Sequence, residues 1–384
     1  MSGPSRRGRV TPFQVMEVLK AVAARRARGL DVALLCVGQP ATAAPAPVRA
    51  AARDALASEV LGYTEAAGVR PLREAIARHY RETYQVPVDP DQVVVTTGSS
   101  GGFLLALLAA FDAGDGVAMA RPGYPAYRND LATVACRVLD VGVDASTRFQ
   151  PTAALLELLP ETPKGVVVAS PSNPTGTIID TDELGRLSRW CRDADAWLIS
   201  DEIYHGISYG RTCSSAWEFD RERTIVVGSF SKFWSMTGWR IGWLLVPTAL
   251  QRAVELLQGN LAICPPTLSQ WASVAAFDPA SRDECAAHVE RYAVNRDVLL
   301  RRLPKLGITS YAPPDGAFYA WCDVTPLTDD SHRWCAELLD ATGVALTPGV
   351  DFDQVDGNRF VRLSFCCDTA ELERGLDLLE SFLR

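Results

Sequence analysis

Residues 165–204 read GVVVASPSNPTGTIIDTDELGRLSRWCRDADAWLISDEIY. A β-branched run, Gly165–Ala169, gives way to a turn rich in Pro, Asn and Gly. A helix-length segment, Asp182–Arg192, follows with Thr181 placed to cap it, and a second apolar run, Ala196–Ser200, closes the unit. Strands that are apolar along their whole length are those buried on both faces, and a strand–helix–strand order joins parallel neighbours. The same alternation extends in both directions. Gln92–Val95, Val117–Ala120 and Arg137–Val141 precede the unit, Thr224–Val227 and Ile241–Val246 follow it, and Gly101–Phe111 has the pattern of a covering helix. The expected fold is therefore α/β: a large domain, residues 48–280, with a mostly parallel seven-stranded sheet covered by helices on both faces.

After about residue 280 the pattern changes. Ser281–Arg302 reads as a long helix, then Gly316–Cys322, Val344–Thr347 and Arg359–Phe365 as strands, and Ala370–Phe382 as a closing helix. A helix over Gln14–Gly29 and a strand over Asp31–Val37 stand before the large domain and are expected to complete this second body. The reading is a smaller, discontinuous α+β domain built from residues 13–47 and 281–384, with residues 1–12 as an N-terminal arm.

Composition narrows the function. The chain has 384 residues and a net charge of -8, which argues against a nucleic-acid partner, since that needs a basic face. Its longest apolar stretch, Gly102–Phe111, is too short to span a bilayer, and Met1–Val10 lacks the apolar core of a secretory signal. Ten cysteines are scattered with no C-x-x-C pair, and four histidines form no H-x-x-x-H, so reduced thiols, a cytoplasmic location and no metal site are expected. Of 38 lysines and arginines only four are lysines: Lys20, Lys164, Lys232 and Lys305. A lysine kept in an arginine-rich chain is a candidate for chemistry that arginine cannot do, because lysine can lose its proton and attack an aldehyde.

Position then selects among the four. Polar or glycine-rich signatures follow successive strands: Thr97-Gly98-Ser99-Ser100, Pro122-Gly123-Tyr124, Ser172-Asn173-Pro174-Thr175-Gly176, Asp201-Glu202-Ile203-Tyr204 and Ser229-Phe230-Ser231-Lys232. Ligands of open parallel sheets bind outside the carboxyl ends of the strands, so these five segments converge on one site. With the run T-G-W-R-I-G after Lys232, they make the chain resemble the class I/II pyridoxal-phosphate (PLP) aminotransferases of fold type I, the aspartate-aminotransferase-like enzymes, from Gly38 to Arg362.

The resemblance implies PLP as cofactor and a role for each matching residue. Lys232 would carry the cofactor and shuttle the substrate proton. Asp201 would face the pyridine nitrogen, and Asn173 and Tyr204 would hydrogen-bond the phenolic oxygen. Backbone N–H groups of Ser99 and Ser100 at a helix N-terminus, with Ser229 and Arg240, would hold the phosphate. Tyr124 would stack on the ring. Arg362 would grip the substrate α-carboxylate as a fork, with Gly38 and Asn173 beside it. Tyr63 would reach the phosphate of a neighbouring subunit, which implies a homodimer with active sites at the interface. Asn173-Pro174 and Ser170-Pro171 are expected as cis peptides.

Transamination between an L-amino acid and a 2-oxo acid is the reaction this predicts; a PLP-dependent carbon–sulfur β-lyase would use the same Lys232, Asp201 and Arg362. Gly114-Asp115-Gly116 resembles the start of a dinucleotide fingerprint, but Met119 stands where its third glycine belongs. His205 has no triad partner and reads as structural. The amino donor is expected to be neutral and aliphatic, such as alanine or valine. Aspartate or glutamate needs a second cation, yet Gly101–Phe111 and Asn260–Pro266 contain no Lys or Arg. Arg7, Arg9 and Arg121 are the residues that could supply one, which keeps an aspartate/2-oxoglutarate aminotransferase as the alternative.

Overall fold

The computed structural model describes Gly3 and residues 5–384; Met1, Ser2 and Pro4 of the expected arm lie outside the described residues. The seven apolar runs form strands β1 (Val93–Thr96), β2 (Gly116–Arg121), β3 (Arg137–Gly142), β4 (Gly165–Ala169), β5 (Trp197–Asp201), β6 (Thr224–Ser229) and β7 (Gly242–Leu245). They make one sheet in the order β1-β7-β6-β5-β4-β2-β3. Neighbours from β6 to β3 are parallel, whereas β7 runs antiparallel to both β6 and β1. β7 follows β6 through a loop with no α-helical crossover, which lets the chain reverse direction. β1, β6 and β7 are buried at every position, as their unbroken apolar character requires, and the edge strand β3 is mostly exposed or half-buried.

The chain moves outward from β2 to the edge strand β3, then returns to β4 and continues the other way through β5 and β6. Strand order therefore reverses between β2 and β4, the switch point where open sheets leave a crevice at their carboxyl ends.

A second, antiparallel sheet has the order β9 (Thr347–Pro348), β10 (Phe360–Ser364), β8 (Tyr319–Asp323). Ala33–Leu34 pairs in parallel with Val344–Ala345. The strand expected over Asp31–Val37 is thus only two residues long, and the one over Val344–Thr347 is split into two. The cause is that Leu35 and Cys36 direct their carbonyls elsewhere: Leu35 O accepts from Ser364 N at 2.8 Å and Cys36 O from Arg362 at 2.6 Å. Tyr292, Phe318, Leu338, Leu363, Leu376 and Leu379 form the core beneath this sheet.

Three helices bear on the site: α1 (Gln14–Ala27), α2 (Gly98–Ala110) and α3 (Pro125–Thr133). α2 begins at Gly98, earlier than the expected Gly101, so Ser99 and Ser100 belong to its first turn. The helix expected to be capped by Thr181 begins with that residue; Asp180 takes the cap position and the Thr181 hydroxyl pairs with Ser214 at 2.8 Å. α1 has no local cap. Instead Asp351, far along the chain, accepts from the N–H groups of Gln14 (2.8 Å) and Val15 (3.2 Å), placing a carboxylate at a helix N-terminus. Ser170-Pro171 and Asn173-Pro174 are cis as expected, and so is Arg121-Pro122. All ten cysteines are free thiols. Among the described residues no helix is long and apolar enough to cross a membrane.

Gly228 sits in the middle of this packing. A Cβ there would lie 2.0 Å from the Trp243 ring, which β7 presses against β6. Gly228→Ala is therefore expected to lower unfolding stability by about 1–3 kcal/mol, the cost of overpacking a filled core, read as a fall in the urea midpoint. An unchanged midpoint would contradict the packing described.

Candidate active site

A cavity of about 420 Å³ lies at the carboxyl ends of β1, β2, β4, β5 and β6. Its wall includes Gly38, Ser99, Ser100, Tyr124, Asn173, Asp201, Tyr204, Lys232, Arg240 and Arg362, so ten of the expected residues come together. They arrive from separate strands because each βα turn ends at the same edge of the sheet, while Arg362 is carried in by β10.

Lys232 Nζ donates to Gly38 O at 2.8 Å. Burial lowers its pKa to about 8; Arg362 and Arg240 push the same way, and Cys366 and Asp201 oppose them. Asp201 is buried, accepts from Tyr127 Oη and from Ile203 N at 3.1 Å, and is raised by burial to about 6 despite these donors. The Tyr204 and Tyr319 hydroxyls share a 2.8 Å hydrogen bond. Arg362 is buried: Nη1 donates to Asn173 Oδ1 at 2.8 Å, and Nη2 to Cys36 O at 2.6 Å and Thr347 Oγ1 at 3.3 Å. Its guanidinium lies 4.4 Å from the Tyr319 ring centroid and 4.7 Å from that of Phe352, and its Nε has no partner.

Two of the expected residues stand elsewhere. Ser229 ends β6 and its hydroxyl accepts from Ser231 N at 3.1 Å; it borders a second cavity with Phe233 and Trp234, while Ser231 takes the place on the central wall. The turn after β6 uses the Ser229 hydroxyl to hold its own backbone. Tyr63 is 83% exposed and outside the cavity of its own chain. His205 faces the second cavity and pairs with Tyr84 at 2.7 Å.

Sequence reasoning missed Tyr127, Tyr319, Asp130 and the inner face of α1. Tyr127 follows Tyr124 by three residues, so helical spacing places both on one face, and that signal was readable. Asp130 lines the cavity and is raised by burial to about 6; no ion pair to it exists among the described residues. Phe13, Val15, Met16, Leu19 and Val37 also line the cavity, with Phe13 packed edge-on against Tyr124. Arg121 is engaged with Asp353 (2.7 Å) and Asp356 (3.3 Å), and neither Arg7 nor Arg9 is on the wall.

The site fits a phosphorylated pyridine aldehyde. A Cβ at Gly98, whose φ is +68°, would lie 2.4 Å from Arg240 Nη2, so the first turn of α2 and the guanidinium form a cradle open only because that residue is glycine. A buried carboxylate, a half-buried lysine whose amine has a lowered pKa and an unpartnered guanidinium nitrogen complete the set of groups such a molecule and a carboxylate substrate require.

The relatives agree with this chemistry. The profile of the family described as aminotransferase class I and II matches residues 31–379. A valine–pyruvate aminotransferase of Mycobacterium tuberculosis is 51% identical over 379 residues, 98% of this chain and 97% of its own. A solved structure of an aminotransferase from Mycobacterium tuberculosis superposes with a TM-score of 0.98 at 50% identity, covering 100% of this chain and 99% of the other. The aspartate aminotransferase of Thermus thermophilus with maleate has a TM-score of 0.94 at 32% identity, covering 99% and 100%. The chain belongs to the class I and II aminotransferases, enzymes that use pyridoxal 5'-phosphate to pass an amino group from an amino acid to a 2-oxo acid.

Proposed function

We propose that this aminotransferase takes a neutral aliphatic amino acid such as valine or alanine as donor and a small 2-oxo acid as acceptor. The observation that carries the reading is the part of the wall outside the expected residues: Phe13, Val15, Met16, Leu19 and Val37 are apolar, and its charged side chain is Asp130, a carboxylate. A second substrate carboxylate would meet apolar surface and a like charge, and burying it unpaired costs several kcal/mol. Arg121, a possible counter-charge, is held by two aspartates. The 51% identical relative named a valine–pyruvate aminotransferase supports the same choice. More distant relatives named aspartate aminotransferases, at 33% identity for that of Thermotoga maritima, favour the dicarboxylate alternative.

The residues divide the work as follows. Pyridoxal phosphate, when bound, supplies the electron sink that stabilises negative charge at the substrate Cα. Lys232 would hold the cofactor aldehyde through its amine and would carry the substrate proton to and from Cα at Nζ; a pKa near 8 leaves a useful neutral fraction near neutral pH. Asp201 keeps a proton on the pyridine nitrogen and is itself positioned by Tyr127. Asn173 and Tyr204 donate to the phenolic oxygen. The N–H groups of Ser99 and Ser100, with Arg240 and Ser231, hold the phosphate, and Tyr124 packs on the ring. Arg362, seated by Asn173 and Cys36, takes the α-carboxylate beside Gly38.

Lys232 comes from the large domain, residues 48–280, and Arg362 from the small one, residues 13–47 and 281–384, so substrate binding draws the two together. The working enzyme is a cytoplasmic homodimer, with Tyr63 serving the partner's phosphate; the outward, 83% exposed Tyr63 and the exposed Leu261 and Ile263 support an interface on that face.

Lys232→Ala is expected to bind the cofactor without the lysine-linked visible band and to lose transamination, while Lys20→Arg, Lys164→Arg and Lys305→Arg stay active. A yellow, active Lys232→Ala protein would refute the assignment of roles. For the substrate, single-turnover rates with alanine, valine, leucine, aspartate, glutamate and phenylalanine should rank a neutral aliphatic donor at least about tenfold above aspartate in specificity constant, the scale on which an unpaired carboxylate is rejected. Aspartate leading by that margin would overturn the donor proposal and leave the Lys232 roles standing.

A further inference from the structure

We infer that Tyr319 is a positioning residue that couples the carboxylate clamp to the cofactor pocket: its hydroxyl orients Tyr204 and its ring seats Arg362. The inference rests on the roles proposed for Tyr204 and Arg362. Tyr319 begins β8, is buried, and touches three groups of the site at once. Its hydroxyl lies 2.8 Å from that of Tyr204. Its ring carries the Arg362 guanidinium at 4.4 Å. It also crowds Gly38, where a Cβ would fall 1.7 Å from Tyr319 Oη, so the glycine whose carbonyl receives Lys232 is required by this tyrosine.

One hydrogen bond between two phenols has one direction. If Tyr204 donated to Tyr319, its only proton would be used and it could not donate to the cofactor oxygen. With Tyr319 as donor, the Tyr204 proton is free to point into the cavity, and the chain of two donors strengthens the second bond. Arg362 adds to this by lying over the Tyr319 ring, where a cation favours loss of phenolic electron density and a better donor. The ring also packs against the guanidinium, with Phe352 at 4.7 Å, while Asn173 and Cys36 hold its terminal nitrogens and Nε is left without a partner. Tyr319 comes from the small-domain sheet and Tyr204 from the turn after β5, so the contact spans the two bodies that substrate binding would draw together.

The groups facing the phenol pair are Arg362, Tyr124 and Cys366, with Asp201 and Arg240 facing Lys232 beside it; a Tyr319→Phe change removes none of them. The test is the pH titration of the visible band of the cofactor-loaded protein without substrate, together with its affinity for isovalerate, an unreactive monocarboxylate. An oxygen anion less well held by Tyr204 retains the neighbouring proton more tightly, so Tyr319→Phe should raise the midpoint by roughly half to one pH unit, the scale of one neutral hydrogen bond. Tyr204→Phe should raise it further, and the double variant should match Tyr204→Phe alone, because Tyr319 acts through Tyr204. Tyr319→Phe keeps the ring and should leave isovalerate affinity within about twofold, whereas Tyr319→Leu should weaken it roughly threefold or more, the worth of a partly desolvated cation–π contact. A midpoint unmoved in Tyr319→Phe, additive shifts in the double variant, or unchanged isovalerate binding in Tyr319→Leu would each overturn the inference while leaving the proposed function intact. Absence of a titrating visible band in the wild type would overturn both.

Discussion

The structure depends on holding a half-buried lysine amine at the carboxyl edge of a parallel sheet. Burial disfavours the ammonium form, and Arg362 and Arg240 add repulsion, which brings Lys232 to about 8. Nothing in a helix or strand alone would do this. The amine must be surrounded by turns from several strands, and the reversal of strand order between β2 and β4 provides the crevice in which they meet. Asp201 answers the same constraint with opposite sign: burial raises it, and Tyr127 and the Ile203 N–H hold it against that pressure.

A second requirement follows from the first. A site assembled from one sheet would be open to solvent on its far side, and the second sheet with α1 closes it. α1 owes its place to Asp351, 337 residues beyond Gln14, so the helix that lines the substrate side is pinned by the same segment that precedes β10 and Arg362. Phe13, Met16 and Leu19 therefore line the same cavity as Arg362 and are tied by Asp351 to the segment that leads into β10.

How much of this is legible in the sequence divides along physical lines. The β-branched runs of the large sheet and the polar turns that follow them are local patterns, and they place the strands and seven cavity residues, Ser99, Ser100, Tyr124, Asn173, Asp201, Tyr204 and Lys232, whereas Gly38, Arg240 and Arg362 are expected from the family resemblance. What local patterns could not show are features decided by partners distant in sequence. The strand expected over Asp31–Val37 shrinks to Ala33–Leu34 because Arg362 and Ser364 claim the next carbonyls. Ser229 gives way to Ser231 on the wall because a turn folds its hydroxyl onto the backbone. Tyr319 sits in Gly316–Cys322, which reads as an ordinary strand, and Asp130 lies outside every signature segment; only the packing of α3 and β8 around the cavity gives them a role.

The claim on which the rest stands is that Lys232, half-buried where the other three lysines are exposed, is held in a reactive state before any cofactor arrives. With only four lysines in the chain, nitrogen NMR of the cofactor-free protein labelled at lysine Nζ can follow each amine through a pH titration. The account predicts one signal titrating near pH 8 and missing from Lys232→Arg. A Lys232 signal that titrates at the ordinary lysine value, about 10.4, would contradict it.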